Sequence, residues 1–440
     1  MHHGRRGPFA PMSSPDPRAV ADVLLLDAGA KQTLEAARSL GRAGLRLTLA
    51  ECRDPTGGPR PPAFWSRWAR ATTFFPDFGQ SPDEFAAAVL DWVTETRTAV
   101  VLPASDQSIA SLRPMRSKIE EHTSLAMASE AALGIAADKR ETLRIASQLG
   151  IAVPRTAVVS RVDEVPAAMA EIGYPAVIKP RSSWTRESGG ERLISSAVLN
   201  EHEAMEAVAV LEGSGAQALV QQLLRGRREG LSLFRAEGKV VGEFAHFSLR
   251  TTPMLGGACV VRESMSMPRD SRRAAVSLIE AIGLEGYSHV EFRRDAEGHP
   301  LLMEVNARLS GSIELASRSG VDFPLMVWQW ATGAPVRGAV SYRTGVRLRW
   351  LTGDGRWLLE TLRGPGRPDG VPRGRAIGTF ARDFTRRSAY DFLDLSDPLP
   401  AAAELGRVLY KAGSNLVQRS RQRELVVAGD RAKPRSDGQK

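Results

Sequence analysis

Cysteine is nearly absent from the 440-residue sequence: Cys52 and Cys259 stand far apart, each without a second cysteine nearby. They cannot form a zinc knuckle or a redox CxxC, so a reducing, cytoplasmic setting is expected. No apolar run approaches the roughly 18 residues a membrane span requires. Met1 to Arg18 carries charge and proline but no apolar segment, so no signal peptide or anchor is read there. Glycine is scarce where a dinucleotide fingerprint needs three: the turn Asp27-Ala28-Gly29-Ala30 holds one, and NAD is not expected. Nor does any Ser-His-Asp or Cys-His set stand out, which argues against a protein nucleophile.

What is present fits a soluble globular chain of two to three packed units, with 42% hydrophobic and 25% charged residues. The formal net charge of +9 is not spread evenly. Residues 341–440 carry 20 Lys+Arg against 11 Asp+Glu, a surplus of nine, so residues 1–340 balance to zero. After Val427 apolar content is low, and the end of the chain is expected to fray.

Val23 to Leu26 reads as a buried strand, Leu34 to Leu40 as a helix and Leu45 to Ala50 as a second strand, a βαβ opening of a parallel sheet. Ala99 to Pro103 followed by Ala104-Ser105-Asp106 repeats the strand-to-loop pattern. A second unit begins near Ala131, with Asp138 capping a helix from Lys139 to Leu149. Helices at 162–172 and 201–211 alternate with strands at 174–179 and 218–224. An antiparallel region follows over 231–235, 240–247 and 258–263, then a helix at 270–282, strands at 288–294 and 300–306, and a helix through Ser317. From Val340 to about Gln418, short strands mix with a helix near 401–411.

The strongest chemical signal lies in the strands 288–294 and 300–306. Alternation puts Val290, Phe292, Met303 and Val305 on one face and His289, Glu291, Glu304 and Asn306 on the other. A hairpin centred on Glu297-Gly298 sets Glu291 opposite Glu304 and His289 opposite Asn306. Like charges facing each other destabilise a sheet unless a cation lies between them. Two carboxylates and an amide oxygen are hard donors suited to Mg²⁺ or Mn²⁺ shared with nucleotide phosphates. A pair of solvated surface glutamates is the plainer alternative; the Glu-x-Asn-x-Arg spacing from Glu304 to Arg308 weighs against it.

This pattern resembles the ATP-grasp superfamily, whose last strand pair reads as a Glu followed by Glu-x-Asn-x-Arg. The resemblance covers about Ala131 to Trp330 and points to carboxylate-amine ligases and carbamoyl-phosphate-synthase-like members. It implies an α/β N-terminal pre-ATP-grasp domain with a parallel sheet, an α+β two-lobed ATP-grasp fold, and a C-terminal extension. The corresponding ranges are a disordered leader over 1–19, the first domain over 20–130, the ATP-grasp domain over 131–333 with its smaller lobe about 150–222, the extension over 334–425, and a disordered basic tail over 426–440.

The resemblance also implies roles. Lys139 and Lys179 would reach phosphates, and Ser182 and Ser183 would help a loop over Arg181–Gly190 cradle them. Gln221, Gln222, Leu223 and Leu224 form a hinge that reads adenine with backbone groups, and Glu229 would meet the ribose, although its spacing is one residue from the commonest pattern, with Arg228 in the more usual place. Glu291, Glu304 and Asn306 would hold Mg²⁺ (or Mn²⁺). Arg308 and Arg262 would neutralise charge at the reacting centre. Substrate contacts are expected from the loops 27–30 and 104–107.

The expected function is an ADP-forming ligase that uses ATP to activate a small carboxylate as an acyl phosphate and join it to an amine. Phosphotransfer to a small molecule is an open alternative, as is a nucleotide-binding protein whose basic C-terminal region docks an acidic polymer. Trp350 and Trp357 among Arg343, Arg347, Arg349, Arg356 and Arg363 motivate the last, but three aspartates interrupt that charge and nucleic acid is not expected as a partner. A homo-oligomer is compatible with the sequence.

Overall fold

The computed structural model describes residues 21–53, 57–182, 193–253, 257–364, 371–411 and 413. The expected leader over 1–19, the tail over 426–440, Ser183 and most of the Arg181–Gly190 loop lie outside these residues.

The first sheet holds β1 (Val23–Leu25), β2 (Leu47–Cys52), β3 (Ala69–Phe75), β4 (Val100–Leu102) and β5 (Ser124–Leu125), in the order β3-β2-β1-β4-β5. All pairs are parallel. β1 and β4 are buried throughout, as expected of short apolar strands covered on both faces. The order reverses between β1 and β4, where their C-terminal loops converge and ligands commonly bind in such sheets. Asp27 ties the two loops together by accepting hydrogen bonds from Ala104 N at 2.8 Å, Ser105 Oγ at 2.8 Å and Ser108 Oγ at 2.7 Å.

A four-stranded antiparallel sheet follows, with β6 (Thr156–Val159), β7 (Ala176–Pro180), β8 (Ser196–Val198) and β9 (Ala218–Gln222) in the order β6-β9-β7-β8. Helices Val165–Ile172 and Glu201–Gly213 cover it, the second capped by Asn200, whose side chain accepts from Glu203 N. This lobe has its own core around Val165, Ile178, Val208 and Val220.

The third sheet contains β10 (Arg228–Ala236), β11 (Lys239–Thr252), β12 (Ala258–Ser264), β13 (Gly286–Arg294), β14 (Pro300–Asn306), β15 (Arg347–Arg349) and β16 (Ala389–Tyr390). Their order is β14-β13-β10-β11-β12-β15-β16, so the sheet runs unbroken past residue 334. Leu24 and Phe75 of the first sheet share a core with Leu231, Val290, Phe292 and Leu302 of this one. The parallel sheet and the seven-stranded sheet thus form one packed body, with the four-stranded lobe packed around a separate centre.

Helices Leu351–Arg363 and Arg373–Arg382 in the last region had no clear signature in the sequence. Each contains two glycines, which cost about 1 kcal/mol apiece relative to Ala in a helix and blur the pattern. Burial of Trp357 and Ala376 against Val260 and Val261 compensates.

Candidate functional site

The expected hairpin register holds where it matters: His289 pairs with Asn306, Val290 with Val305 and Glu291 with Glu304. A bulge then shifts the register, so Phe292 faces Leu302. The bulge corrects the expected apolar face, since Leu302 is fully buried and Met303 only half-buried. Both carboxylates remain on one side of the sheet.

On the neighbouring strand, Gly230 pairs with Glu291 on one side and His246 on the other. A Cβ there would lie 2.4 Å from His246 Cε1 and 2.7 Å from His289 Cε1, so glycine allows the two rings to stack with centroids 5.6 Å apart. Burial, reinforced by the His289 ring, holds the His246 pKa well below the usual histidine range. His246 is a structural floor residue.

Two strand positions from Gly230, Arg228 reaches the carboxylate pair. Its Nε and Nη2 donate to Glu291 Oε2 at 2.9 and 2.5 Å, and its Nη1 donates to the Gly257 carbonyl at 2.6 Å. Burial would raise the Glu291 pKa, but the charges of Arg228 and His289 outweigh it and hold the carboxyl well below the usual range. Glu304 accepts from Asn306 Nδ2 at 3.3 Å. Arg308 forms a two-pronged pair with Asp106 at 2.8 and 2.7 Å and reaches Asn306 Oδ1 at 3.3 Å, linking the parallel domain to the end of β14.

Lys139 and Lys179 come from different lobes. Asp138 caps the helix Lys139–Gln148, accepting from Arg140 N and Glu141 N, and is also gripped by Arg181. Lys139 N donates to the Arg181 carbonyl at 3.0 Å, fixing the start of the loop that contains Ser182. Lys179, on β7, has its pKa lowered to about 8 by burial, against the opposing pull of Glu304. A cavity of about 420 Å³ is lined by Lys139, Ser182, Glu304 and Asn306 together with Asp106 and Arg113 of the parallel domain.

Arg262 and Glu229 lie elsewhere. Arg262 is fully buried and held by Asp391 at 2.9 and 2.6 Å, with a further bond to the Gly311 carbonyl. Its charge is neutralised inside the fold, which corrects the expectation that it faces the reacting centre. Glu229 is also fully buried, with its oxygens taken by Arg227, Arg294 and Ser271, so it is an ion-pair residue of the fold and not an open ribose acceptor. Gln221 is buried with its amide on Thr156 Oγ1, and Gln222 N donates to the Arg155 carbonyl. Leu223 is half-buried, while the Leu224 carbonyl accepts from Arg293. Asp106 of the 104–107 loop lines the cavity, whereas Asp27 is buried and holds that loop in place.

Arg228 and Arg113 were not expected in the site. Arg228 had a sequence signal, because it occupies the position usual for a cleft-facing residue. Arg113 had none.

Two of the arginines that suggested a basic-aromatic surface are neutralised inside the fold. Arg347 pairs with Asp383 at 2.8 Å, Arg349 with Asp354 at 2.7 Å, and Trp357 is buried beneath Arg250. Arg347, Arg349 and Trp357 do not form an open basic-aromatic surface for a polymer.

The family model described as "ATP-grasp in the biosynthetic pathway with Ter operon" matches residues 260–354. The D-alanine–D-alanine ligase of Pseudomonas entomophila is 26% identical over 210 residues, covering 44% of this chain and 64% of that protein. The carbamoyl phosphate synthase large chain of Methanocorpusculum labreanum is 25% identical over 218 residues, covering 46% of this chain and 18% of that protein. Among solved structures, a biotin carboxylase from Campylobacter jejuni superposes with a TM-score of 0.58 at 16% identity, covering 74% of each chain. No helix among the described residues is long and apolar enough to cross a membrane. In its fold, and in sequence over residues 260–354, the chain is similar to ATP-grasp proteins.

Proposed function

We propose that the protein is an ADP-forming ligase that activates a small carboxylate as an acyl phosphate and transfers the acyl group to an amine. The observation that carries this reading is the opposition of Glu291 and Glu304, with Glu304 and Asn306 lining a cavity together with Lys139, Ser182 and Asp106. The names of the two relatives, a ligase and a carbamoyl phosphate synthase, support it. So does the absence of any need for a protein nucleophile.

Glu291, Glu304 and Asn306 offer only oxygen donors, which fits Mg²⁺ or Mn²⁺. Such an ion supplies Lewis-acid polarisation of the phosphates. Lys139 and Lys179 approach from the two lobes as point charges for phosphate oxygens, and Ser182 adds a small polar contact. The hinge Gln221–Leu224 would take adenine. The substrate carboxylate oxygen bonds to the γ-phosphorus as ADP leaves; the amine nitrogen then bonds to the acyl carbon as phosphate leaves. Arg308, steered by Asp106, is placed to stabilise the oxyanion between those two events.

ADP release by the full chain with Mg²⁺, against pools of small carboxylates and amines, tests the proposal. Release that requires one member of each class and disappears in Glu304→Ala is expected. A stable phosphorylated product without an amide would overturn it in favour of phosphotransfer.

A further inference from the structure

Arg228 is the guanidinium paired with Glu291 in this structure, while His289 Nε2 lies 3.5 Å from the other oxygen of that carboxylate. The Arg228 fork lies on Glu291 Oε2 and its third arm on the Gly257 carbonyl. The pair is only partly exposed, at 16% for Arg228 and 13% for Glu291. Arg308 is held by Asp106, so Arg228 is the guanidinium directly on a carboxylate of the opposed pair. Lys179, beside them, feels both glutamates and the Arg228 charge.

A divalent ion arriving alone must compete for Glu291 with a resident guanidinium, and it leaves that guanidinium without a carboxylate in a partly buried place. An ion arriving with phosphates changes both terms. The guanidinium exchanges a carboxylate for phosphate oxygens, which suit its planar fork equally well, and Glu291 becomes free to take the ion.

We propose that Arg228 is an exchangeable counter-ion that couples metal binding to nucleotide binding: it holds Glu291 when phosphates are absent and moves to them when they arrive. This inference rests on the proposed nucleotide site and goes beyond it by assigning a positioning role to a residue outside the metal ligands. Bare metal is then disfavoured, and metal with nucleotide is favoured.

The test measures Mn²⁺ binding to the full chain by electron paramagnetic resonance and Mn²⁺·ADP binding by calorimetry, in the natural protein and in Arg228→Gln. The variant is expected to bind bare Mn²⁺ about tenfold more tightly and Mn²⁺·ADP about tenfold more weakly, the scale of effects from partners of metal ligands. The opposite signs identify the role, because a merely structural arginine would weaken both or change neither. Either of those results overturns the inference. Should Arg228→Gln not fold, Arg228→Lys, which keeps the charge without the fork, must show the same opposed shifts at smaller size; parallel shifts or none overturn it. Mn²⁺·ADP binding in the natural protein that survives Glu304→Ala unchanged would instead overturn the nucleotide–metal site itself, and this inference with it.

Discussion

Arg228 and Arg262 stand on the same face of the same sheet, because Gly230 pairs with His246 and His246 with Ser264, and each arginine lies two residues along from one end of that row. Both form two-pronged pairs with a carboxylate. Arg228 and Glu291 keep 16% and 13% exposure at the cleft, while Arg262 and Asp391 keep 0% and 1%. The first pair can exchange partners with an incoming ion or phosphate; the second cannot do so without unpacking β16 and its neighbours. The comparison shows that residue type and strand face do not make a binding group. Access does, and here it depends on what the C-terminal region places over each end of the sheet.

The largest expected effect breaks the closed pair. Arg262→Met would leave Asp391 buried without its fork, and thermal unfolding should show a loss of about 3–5 kcal/mol. Adding Asp391→Leu should recover part of that loss, because it removes the unpaired carboxylate but also takes away the partner of Lys31, 3.7 Å from Asp391. ADP affinity of the folded fraction should remain unchanged in both variants. A selective loss of ADP binding in Arg262→Met, with stability intact, would place Arg262 in the site after all.

A smaller effect sharpens the open side. The Lys179 pKa is lowered to about 8 by burial, opposed by Glu304. Above that pH the free protein loses the ammonium, so ADP affinity should fall by up to about tenfold per pH unit. Calorimetry at pH 7 and 9.5 would show the decline, and Lys179→Arg should flatten it. Folding responds with the opposite sign: the folded pKa lies below the unfolded one, so the cost of burying this charge is complete below about 8 and is relieved between 8 and 10.5.

Much of this site was legible because the sequence carries it locally. Glu291, Glu304 and Asn306 lie in two strands joined by a short turn, so alternation and turn position were enough to oppose them. Lys139 follows its own cap residue, Asp138, and was equally readable. Arg228 versus Glu229 was harder, because neighbouring strand residues face opposite ways and the parity depends on β10 pairing with β13, some sixty residues later. The fate of Arg262 was beyond reach. Its partner Asp391, 129 residues away, directly follows β16, a two-residue strand that shows no pattern. The bulge after Glu291 was likewise invisible, since both parities of Leu301-Leu302-Met303 are apolar.

The smallest expected effect concerns a buried charge on the closed side that lacks a strong partner. Glu35, in the helix Lys31–Arg42, has its pKa raised to about 8 by burial and then by the neighbouring Glu314 charge. Its arginine contact among the described residues, Arg42, lies at 3.4 Å and is 44% exposed, so it offsets little of this. The folded pKa lies above the unfolded value of 4.5, so the stability this carboxyl contributes is present below 4.5 and lost as pH rises through about 8. Glu35→Gln keeps the shape without the charge. It should leave Tm unchanged near pH 5 and raise it at pH 9 by on the order of 3 °C. An equal shift at both pH values would mean that packing, and not ionisation, sets the cost at this position. That result would separate Glu35 from the paired charges around it, because Arg262 and Asp391 are stable through mutual neutralisation, whereas Glu35 is tolerated by remaining protonated.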